Sequence, residues 1–203
     1  MGLILVTYGH GDHIGDTVEI AKSTGVKVVL NADIGHTFAA VGWLPYKQLI
    51  RFNKSGPIAP LGPGVTITMV RAEYSSAVVY ADPTTKVKTV YPGGEPCGYI
   101  IELEDGFKIY HAGDTGVFAD MKFIGSYCGS DLTLLPIGGH FTMDPAHAAY
   151  AVRELLTSKM VMPMHYGTFP PLKGTPVQFK QALANFPTKV IVMEPGETRS
   201  FGK

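Results

Sequence analysis

The segment 7–16, TYGHGDHIGD, most constrains what this chain can fold into. It places His10, Asp12 and His13 directly after a short apolar run, Leu3–Thr7, and such a run predicts a buried strand. Imidazole and carboxylate groups are ligands suited to Zn, Mn, Fe or Ni ions. A single histidine is more often a packed or surface residue, but this group of three favours a metal site at the end of a strand.

Other residues of the same chemical type also follow predicted strands. Asp114 comes shortly after an apolar segment that ends at His111, and His165 follows the segment Met160–Met164. Side chains at the ends of neighbouring strands converge at one edge of a sheet. We therefore expect these residues to join the group at the start of the chain.

The pattern of apolar residues predicts an α/β protein with a single domain over residues 1–203. Glu104-Asp105-Gly106 between two strands predicts a hairpin, and Asp144 followed by Pro145 predicts the start of a helix. The predicted strands are Leu3–Thr7, Val26–Leu30, Val65–Arg71, Ser76–Asp82, Gly98–Leu103, Phe107–His111, Leu132–Pro136, Met160–Met164 and Lys189–Met193. The predicted helices are Ile14–Thr24, Asn31–Val41, Asp144–Leu156 and Pro176–Ala184.

Charge, apolar content and cysteine content indicate which partners and which compartment to expect. Seventeen basic residues balance seventeen acidic ones, which argues against a dedicated nucleic-acid binder. No apolar stretch approaches the roughly 20 residues that cross a bilayer, and Met1–Val6 lacks the basic start of a signal peptide. Cys97 and Cys128 are solitary, which is typical of buried thiols. We expect a cytoplasmic protein that acts on a small molecule, with no membrane partner.

Four motifs resemble the metallo-β-lactamase superfamily, and they occur in the order of that family. TYGHGDH at 7–13 resembles its His-x-His-x-Asp-His signature, YHAGDT at 110–115 resembles its Gly-Asp motif, and PMHY at 163–166 resembles its last His-bearing strand end. LPIGGHFTM at 135–143 and HYGTFP at 165–170 resemble a small bacterial and archaeal group of metal-dependent hydrolases related to ascorbate-6-phosphate lactonases. The resemblance implies a four-layer αββα sandwich.

The resemblance also implies two adjacent metal sites that share one aspartate. The first site corresponds to Tyr8, His10, Tyr74 and Asp114. The second site corresponds to Asp12, His13, Asp114 and His165. The chain departs from the family pattern at Tyr8 and at Tyr74, which lies in the segment RAEYSS at 71–76. Both departures replace histidine with tyrosine, and both fall in the first site.

Three interpretations of these tyrosines stay open at this point. A phenol has a pKa of about 10 and is bulkier than imidazole, so we favour a first site that is closed or weakened. A phenolate ligand is the second interpretation, since tyrosine can bind a hard metal ion. A shifted alignment of the motifs is the third.

The leading function is hydrolysis of a small ester, lactone or phosphoester with one well-formed metal site. Zn is the first choice of metal, with Mn, Fe or Ni as alternatives. Asp12 is the candidate base, and His140 either contacts substrate or acts as an acid, unless it is an exposed loop histidine. The alternative is a degenerate, non-catalytic protein of the same fold that binds metal or a partner. A nuclease is disfavoured by the neutral charge.

The resemblance implies one further departure, at the start of the chain. Members of the group have a β-hairpin before the signature, and here the signature begins at Thr7. We therefore expect the N-terminal strands to be missing and the sheet edge beside Leu3–Val6 to be open. An open edge predicts self-association, because an unpaired strand can add a strand from a second copy.

Overall fold

The computed structural model describes residues 2–203. In this part of the chain the strands are β1 (Leu3–Leu5), β2 (Lys27–Asn31), β3 (Leu49–Phe52), β4 (Pro57–Ile58), β5 (Thr66–Arg71), β6 (Ala77–Ala81), β7 (Lys88–Pro92), β8 (Cys97–Glu102), β9 (Lys108–His111), β10 (Leu132–Pro136), β11 (Met160–Met164) and β12 (Lys189–Val190). The α-helices are α1 (Gly11–Ile14), α2 (Thr17–Thr24), α3 (Ala32–Ala40), α4 (Met121–Phe123), α5 (Pro145–Tyr150) and α6 (Pro176–Leu183).

Two sheets form the centre of the fold. The smaller sheet has the order β1-β2-β3 and is parallel. The larger sheet has the order β12-β11-β10-β9-β8-β5-β4, with parallel pairing from β9 to β12 and antiparallel pairing from β4 to β9. Strands β6 and β7 form a separate antiparallel hairpin.

Helices cover the outer face of each sheet. Ala21 of α2 and Phe38 of α3 belong to the same buried cluster as Val28 and Leu30 of β2. The side chain of Asn31 caps α3 by accepting a hydrogen bond from a backbone N–H in the first turn. The smaller sheet is therefore sandwiched between these helices and the larger sheet.

The larger sheet is buried on its other face by α5 and α6. Ala148 of α5 and Phe179 of α6 pack with Leu135 of β10 in a second buried cluster. Between the two sheets, Tyr99 of β8 packs in a third cluster with Leu5 of β1. The layers follow the order helix, sheet, sheet, helix, as expected for an αββα sandwich.

Most of the predicted elements are present, and two strands coincide with their predicted bounds. Leu132–Pro136 and Met160–Met164 form β10 and β11 as predicted. Asp144 caps α5 as predicted, accepting a hydrogen bond from the backbone N–H of His147 at 2.8 Å. The helix predicted to reach Leu156 does so by a change to π-helical geometry after Tyr150.

The prediction of one continuous helix over Ile14–Thr24 is wrong. The backbone of Gly15 has φ +46°, a conformation that glycine adopts easily and that interrupts a helix. The chain therefore forms two short helices, and the first of them, α1, contains Asp12 and His13. Strands β3, β4 and β7 were not predicted; β7 is largely exposed and pairs with β6, so its residues show no apolar pattern.

No helix in residues 2–203 is both long enough and apolar enough to cross a membrane. Both cysteines are free thiols, Cys97 buried and Cys128 half-buried. Burial raises the pKa of the Cys97 thiol to about 11, which keeps this thiol protonated and unreactive.

One buried hydroxyl links the two sheets directly. The Tyr99 hydroxyl donates a hydrogen bond to the backbone carbonyl oxygen of Val6, with 2.6 Å between the oxygens. We expect Tyr99→Phe to lower the free energy of unfolding by about 1 to 3 kcal/mol, because it leaves that carbonyl without its partner. Urea denaturation measures this change.

Tyr110→Phe is the matched control. Tyr110 is also fully buried, but its hydroxyl has no hydrogen-bond partner among residues 2–203. Removing this hydroxyl should leave the free energy of unfolding unchanged or raise it by about 1 kcal/mol. Equal losses in the two variants would show that the link between the sheets does not stabilise the fold.

Self-association stays a prediction. β1 lies at one edge of the smaller sheet, and its residues are only half-buried. An edge of this kind can accept a strand from a second copy. Sedimentation velocity over a hundredfold range of protein concentration should therefore show a species heavier than the monomer, and a single monomer peak throughout would contradict the prediction.

Candidate metal centre

Four predicted ligand residues meet where the two sheets adjoin. Asp12 and His13 lie in α1, just after β1 of the smaller sheet, while Asp114 and His165 follow β9 and β11 of the larger sheet. β9, β10 and β11 are parallel neighbours, so their carboxyl ends open at the same edge. One ligand atom from each of the four residues lies within 4.8 Å of the others.

The separations of these atoms suit one small metal ion. His13 Nε2 lies 3.7 Å from an Asp12 carboxylate oxygen and 3.4 Å from Asp114 Oδ1. His165 Nε2 lies 3.2 Å from Asp114 Oδ2. Ligands held about 2.1 Å from a tetrahedral zinc ion lie about 3.4 Å from one another, so the four residues need little movement to bind one.

The Asp114 carboxylate is buried and only partly satisfied. Its Oδ1 atom has no hydrogen-bond partner among residues 2–203. Burial disfavours its charged form, but the imidazoles of His13 and His165 and the Tyr8 hydroxyl outweigh burial and hold the pKa of this carboxyl well below its usual range. A buried anionic oxygen without a donor is a position that a cation fits.

Thr7 orients one of the imidazoles, a role that the sequence did not reveal. Its Oγ1 atom lies 2.9 Å from His13 Nδ1. In the tautomer that donates from Nδ1, the lone pair of Nε2 points toward the carboxylates. A metal-binding histidine commonly has such a partner on its second ring nitrogen. The only available signal was a threonine at the strand end that precedes the motif.

The two tyrosines lie beside the Asp114 carboxylate. The Tyr8 hydroxyl donates a hydrogen bond to Asp114 Oδ2 at 2.8 Å, and only 1% of Tyr8 is exposed. Burial and the charge of Asp114 raise the pKa of Tyr8 far above its usual range, and the same causes raise the pKa of Tyr74 to about 12. Both phenols are therefore neutral at physiological pH.

His10 lies among these rings rather than with the four ligand residues. Its ring centroid is 4.8 Å from that of Tyr8 and 5.9 Å from that of Tyr74. The two tyrosine rings are themselves 5.3 Å apart in an edge-to-face arrangement. Three aromatic rings thus pack together beside the four ligand residues.

His140 lies in the loop that follows β10 and is exposed. Its backbone has φ +61°, and its ring packs edge-to-face on Phe141 at 4.4 Å. The residues that line the cavity over the centre include Phe141 but not His140. A catalytic role for His140 stays a prediction.

The same cavity is lined by two phenylalanines that the sequence analysis did not single out. Phe141 lies in the loop after β10, and Phe169 lies in the loop after β11. Each is more than half exposed, although both are large and apolar. No local pattern marks a phenylalanine in a loop as part of a site, since its position depends on how distant strands align.

Known proteins are similar to this chain in both sequence and fold. Residues 1–166 match the family model described as "Beta-lactamase superfamily domain". A UPF0173 metal-dependent hydrolase of Polaromonas sp. is 51% identical over 199 residues, which is 98% of this chain and 72% of that protein. This chain belongs to that family of metal-dependent hydrolases. A relative from Thermococcus onnurineus is 47% identical over 196 residues, which is 96% of this chain and 80% of that protein.

Solved structures agree with this assignment. Igni18, a metallo hydrolase from Ignicoccus hospitalis, is 40% identical with a TM-score of 0.83, covering 100% of this chain and 80% of that one. The metallo-β-lactamase fold protein YhfI from Bacillus subtilis is 16% identical with a TM-score of 0.67, covering 97% of this chain and 76% of that one, and it shows the fold alone. The predicted metallo-β-lactamase-like sandwich is thus confirmed.

Thr7→Val tests the role of the threonine in metal binding. Valine keeps the shape of the side chain but removes the partner of His13 Nδ1. We expect the dissociation constant for Zn to rise about tenfold to a hundredfold, because the imidazole loses its orientation. Competition with a zinc indicator dye measures the constant.

Thr7→Ser provides the control for this substitution, since it keeps the hydroxyl and should bind Zn much as the parent does. If serine weakens binding as strongly as valine, packing at Thr7 rather than its hydrogen bond controls the affinity.

Proposed function

We propose that this chain hydrolyses a small ester, lactone or phosphoester with one divalent ion bound between the two sheets. The ion, Zn as first choice, would be held by the four residues Asp12, His13, Asp114 and His165. The observation that supports this most directly is the buried Asp114 Oδ1 atom, which has no hydrogen-bond partner in residues 2–203 and lies 3.4 Å from His13 Nε2. The resemblance to ascorbate-6-phosphate lactonases supports a lactone or ester as substrate.

We further propose that Tyr8 and Tyr74 close the first site of the family. The Tyr8 hydroxyl donates a hydrogen bond to Asp114 Oδ2 at 2.8 Å. This donor stands where, in a two-metal site, a second cation would compensate the charge of the carboxylate. A neutral phenol is a poor ligand for a metal ion. The two rings pack with His10, so phenol and imidazole rings stand at the positions that the resemblance assigns to ligands of the first site.

The chain's own residues account for the remaining steps. A bound divalent ion would polarise the acyl or phosphoryl oxygen and acidify a water molecule. Asp12 cannot be ligand and base at the same time. Because it is about half exposed at the cavity, it would leave the ion, open a coordination position for water, and accept the proton of that water. Before an ion binds, His13 and His165 lie against the Asp114 carboxylate, and Tyr8 keeps one of its oxygens fixed by a hydrogen bond.

The metal content of the purified chain tests both proposals at once. Protein prepared without a chelator should contain about one metal ion per chain. Tyr8→His combined with Tyr74→His should contain about two, with higher hydrolase activity, because imidazoles replace the phenols at the first site. Elemental analysis by plasma mass spectrometry measures the content.

The matched control is Tyr8→Phe combined with Tyr74→Phe, which keeps two aromatic rings and should stay near one ion per chain. Absence of metal from the parent would contradict the hydrolase proposal. Two ions in the parent would make the tyrosines ligands, and a bound ion without any turnover would favour the non-catalytic alternative.

A further inference from the structure

The cavity that is lined by three of the ligand residues, Asp12, Asp114 and His165, has an apolar, aromatic rim. It encloses about 320 Å³, room for a small organic molecule. Phe141 and Phe169 line it together with Tyr74, and these phenylalanines are 53% and 56% exposed. Exposure of two large apolar rings at the mouth of one cavity is costly in water, and contact with an apolar ligand would remove that cost.

The two loops that contain these phenylalanines are packed against each other. A Cβ atom added at Gly138 would lie 2.2 Å from the backbone oxygen of His165, so only glycine allows this approach. The backbone N–H of Gly174 donates to the carbonyl of Gly138 at 3.0 Å, and the N–H of Leu172 donates to that of Phe169 at 2.9 Å. The rim is therefore formed before any ligand arrives.

The cavity offers no cationic side chain to an anionic ligand. Among residues 2–203 no lysine or arginine lines it, and its two carboxylates, Asp12 and Asp114, are the ones that the proposed ion would compensate. Tyr74 also lines a second cavity, of about 730 Å³, where the cationic groups of Arg71 and Lys54 are found. Arg71 is paired there with Glu73 at 2.6 Å, and Lys54 is paired with Glu95. A phosphate group at the centre would thus meet no free cationic side chain.

From this geometry we propose that the centre takes uncharged carboxylic esters or lactones with an aromatic or bulky apolar group, which Phe141 and Phe169 hold at the rim. The proposal rests on the hydrolase function for turnover, but the binding that it describes needs only the two rings. In turnover the oxygen of water bonds to the acyl carbon and the bond from that carbon to the alcohol oxygen breaks. The two protons of water end on the released alcohol and on the acid.

Binding to metal-free protein tests the rim independently of catalysis. Phenylacetamide is an uncleaved analogue of a phenylacetyl ester, and acetamide lacks the ring. After chelator treatment, the parent should bind phenylacetamide at least about tenfold more tightly than acetamide in a ligand-observed NMR titration. Phe141→Ala and Phe169→Ala should each weaken phenylacetamide binding about twofold to tenfold, since each removes one aromatic contact.

Phe123→Ala is the matched control, because Phe123 is a phenylalanine of similar exposure, 51%, that lines the second cavity instead. It should leave phenylacetamide binding unchanged. Loss of binding in this variant but not in the other two would place the ligand in the second cavity and overturn the proposal. Equal binding of the two amides by the parent would overturn it as well.

Turnover by the zinc-loaded parent gives a separate readout. Methyl phenylacetate should be hydrolysed with a kcat/KM at least about tenfold that of methyl acetate and of methyl phosphate. Preference for the phosphate would overturn the proposal. A chain that binds phenylacetamide through the rim but contains no metal would instead refute the hydrolase function and leave the rim assignment intact.

Discussion

The buried carboxylate of Asp114 is the group on which the arrangement of the centre depends. A buried charge is costly unless neighbouring groups compensate it, and here the compensation comes from both sheets. Tyr8 and His13 approach from the end of β1, while His165 approaches from the end of β11. One oxygen still lacks a donor in the described part of the chain, so the protein groups alone leave room for a cation.

The tyrosine at position 8 meets part of what this carboxylate requires. A phenol offers a hydrogen-bond donor but no positive charge, and it satisfies one oxygen of Asp114. Oδ2 is therefore paired within the protein, whereas Oδ1 has no hydrogen-bond partner among residues 2–203. Tyr74 and His10 pack on Tyr8 as part of an aromatic cluster.

Sequence patterns were sufficient to predict the bounds of a strand where its residues have similar surroundings along its whole length. β10 and β11 are mostly apolar runs whose residues are all buried or half-buried, and their bounds could be predicted to the residue. The break at Gly15 and the strand β7 could not, since one depends on a single backbone angle and the other on pairing with β6. Among site residues, the ligand types stood out by chemistry. The contact of Tyr8 with Asp114 spans 106 positions, and no local pattern encodes it.

The origin of the four ligand residues, two after a strand of one sheet and two after strands of the other, has a consequence for the whole molecule. A cation bound to all four would fasten the two sheets together as a cross-link does. Its binding free energy would then add to the stability of the fold, by about 2.7 kcal/mol when the free ion is at 100 times its dissociation constant. The free energy of unfolding of the chain would in that case rise with the concentration of the free ion around it.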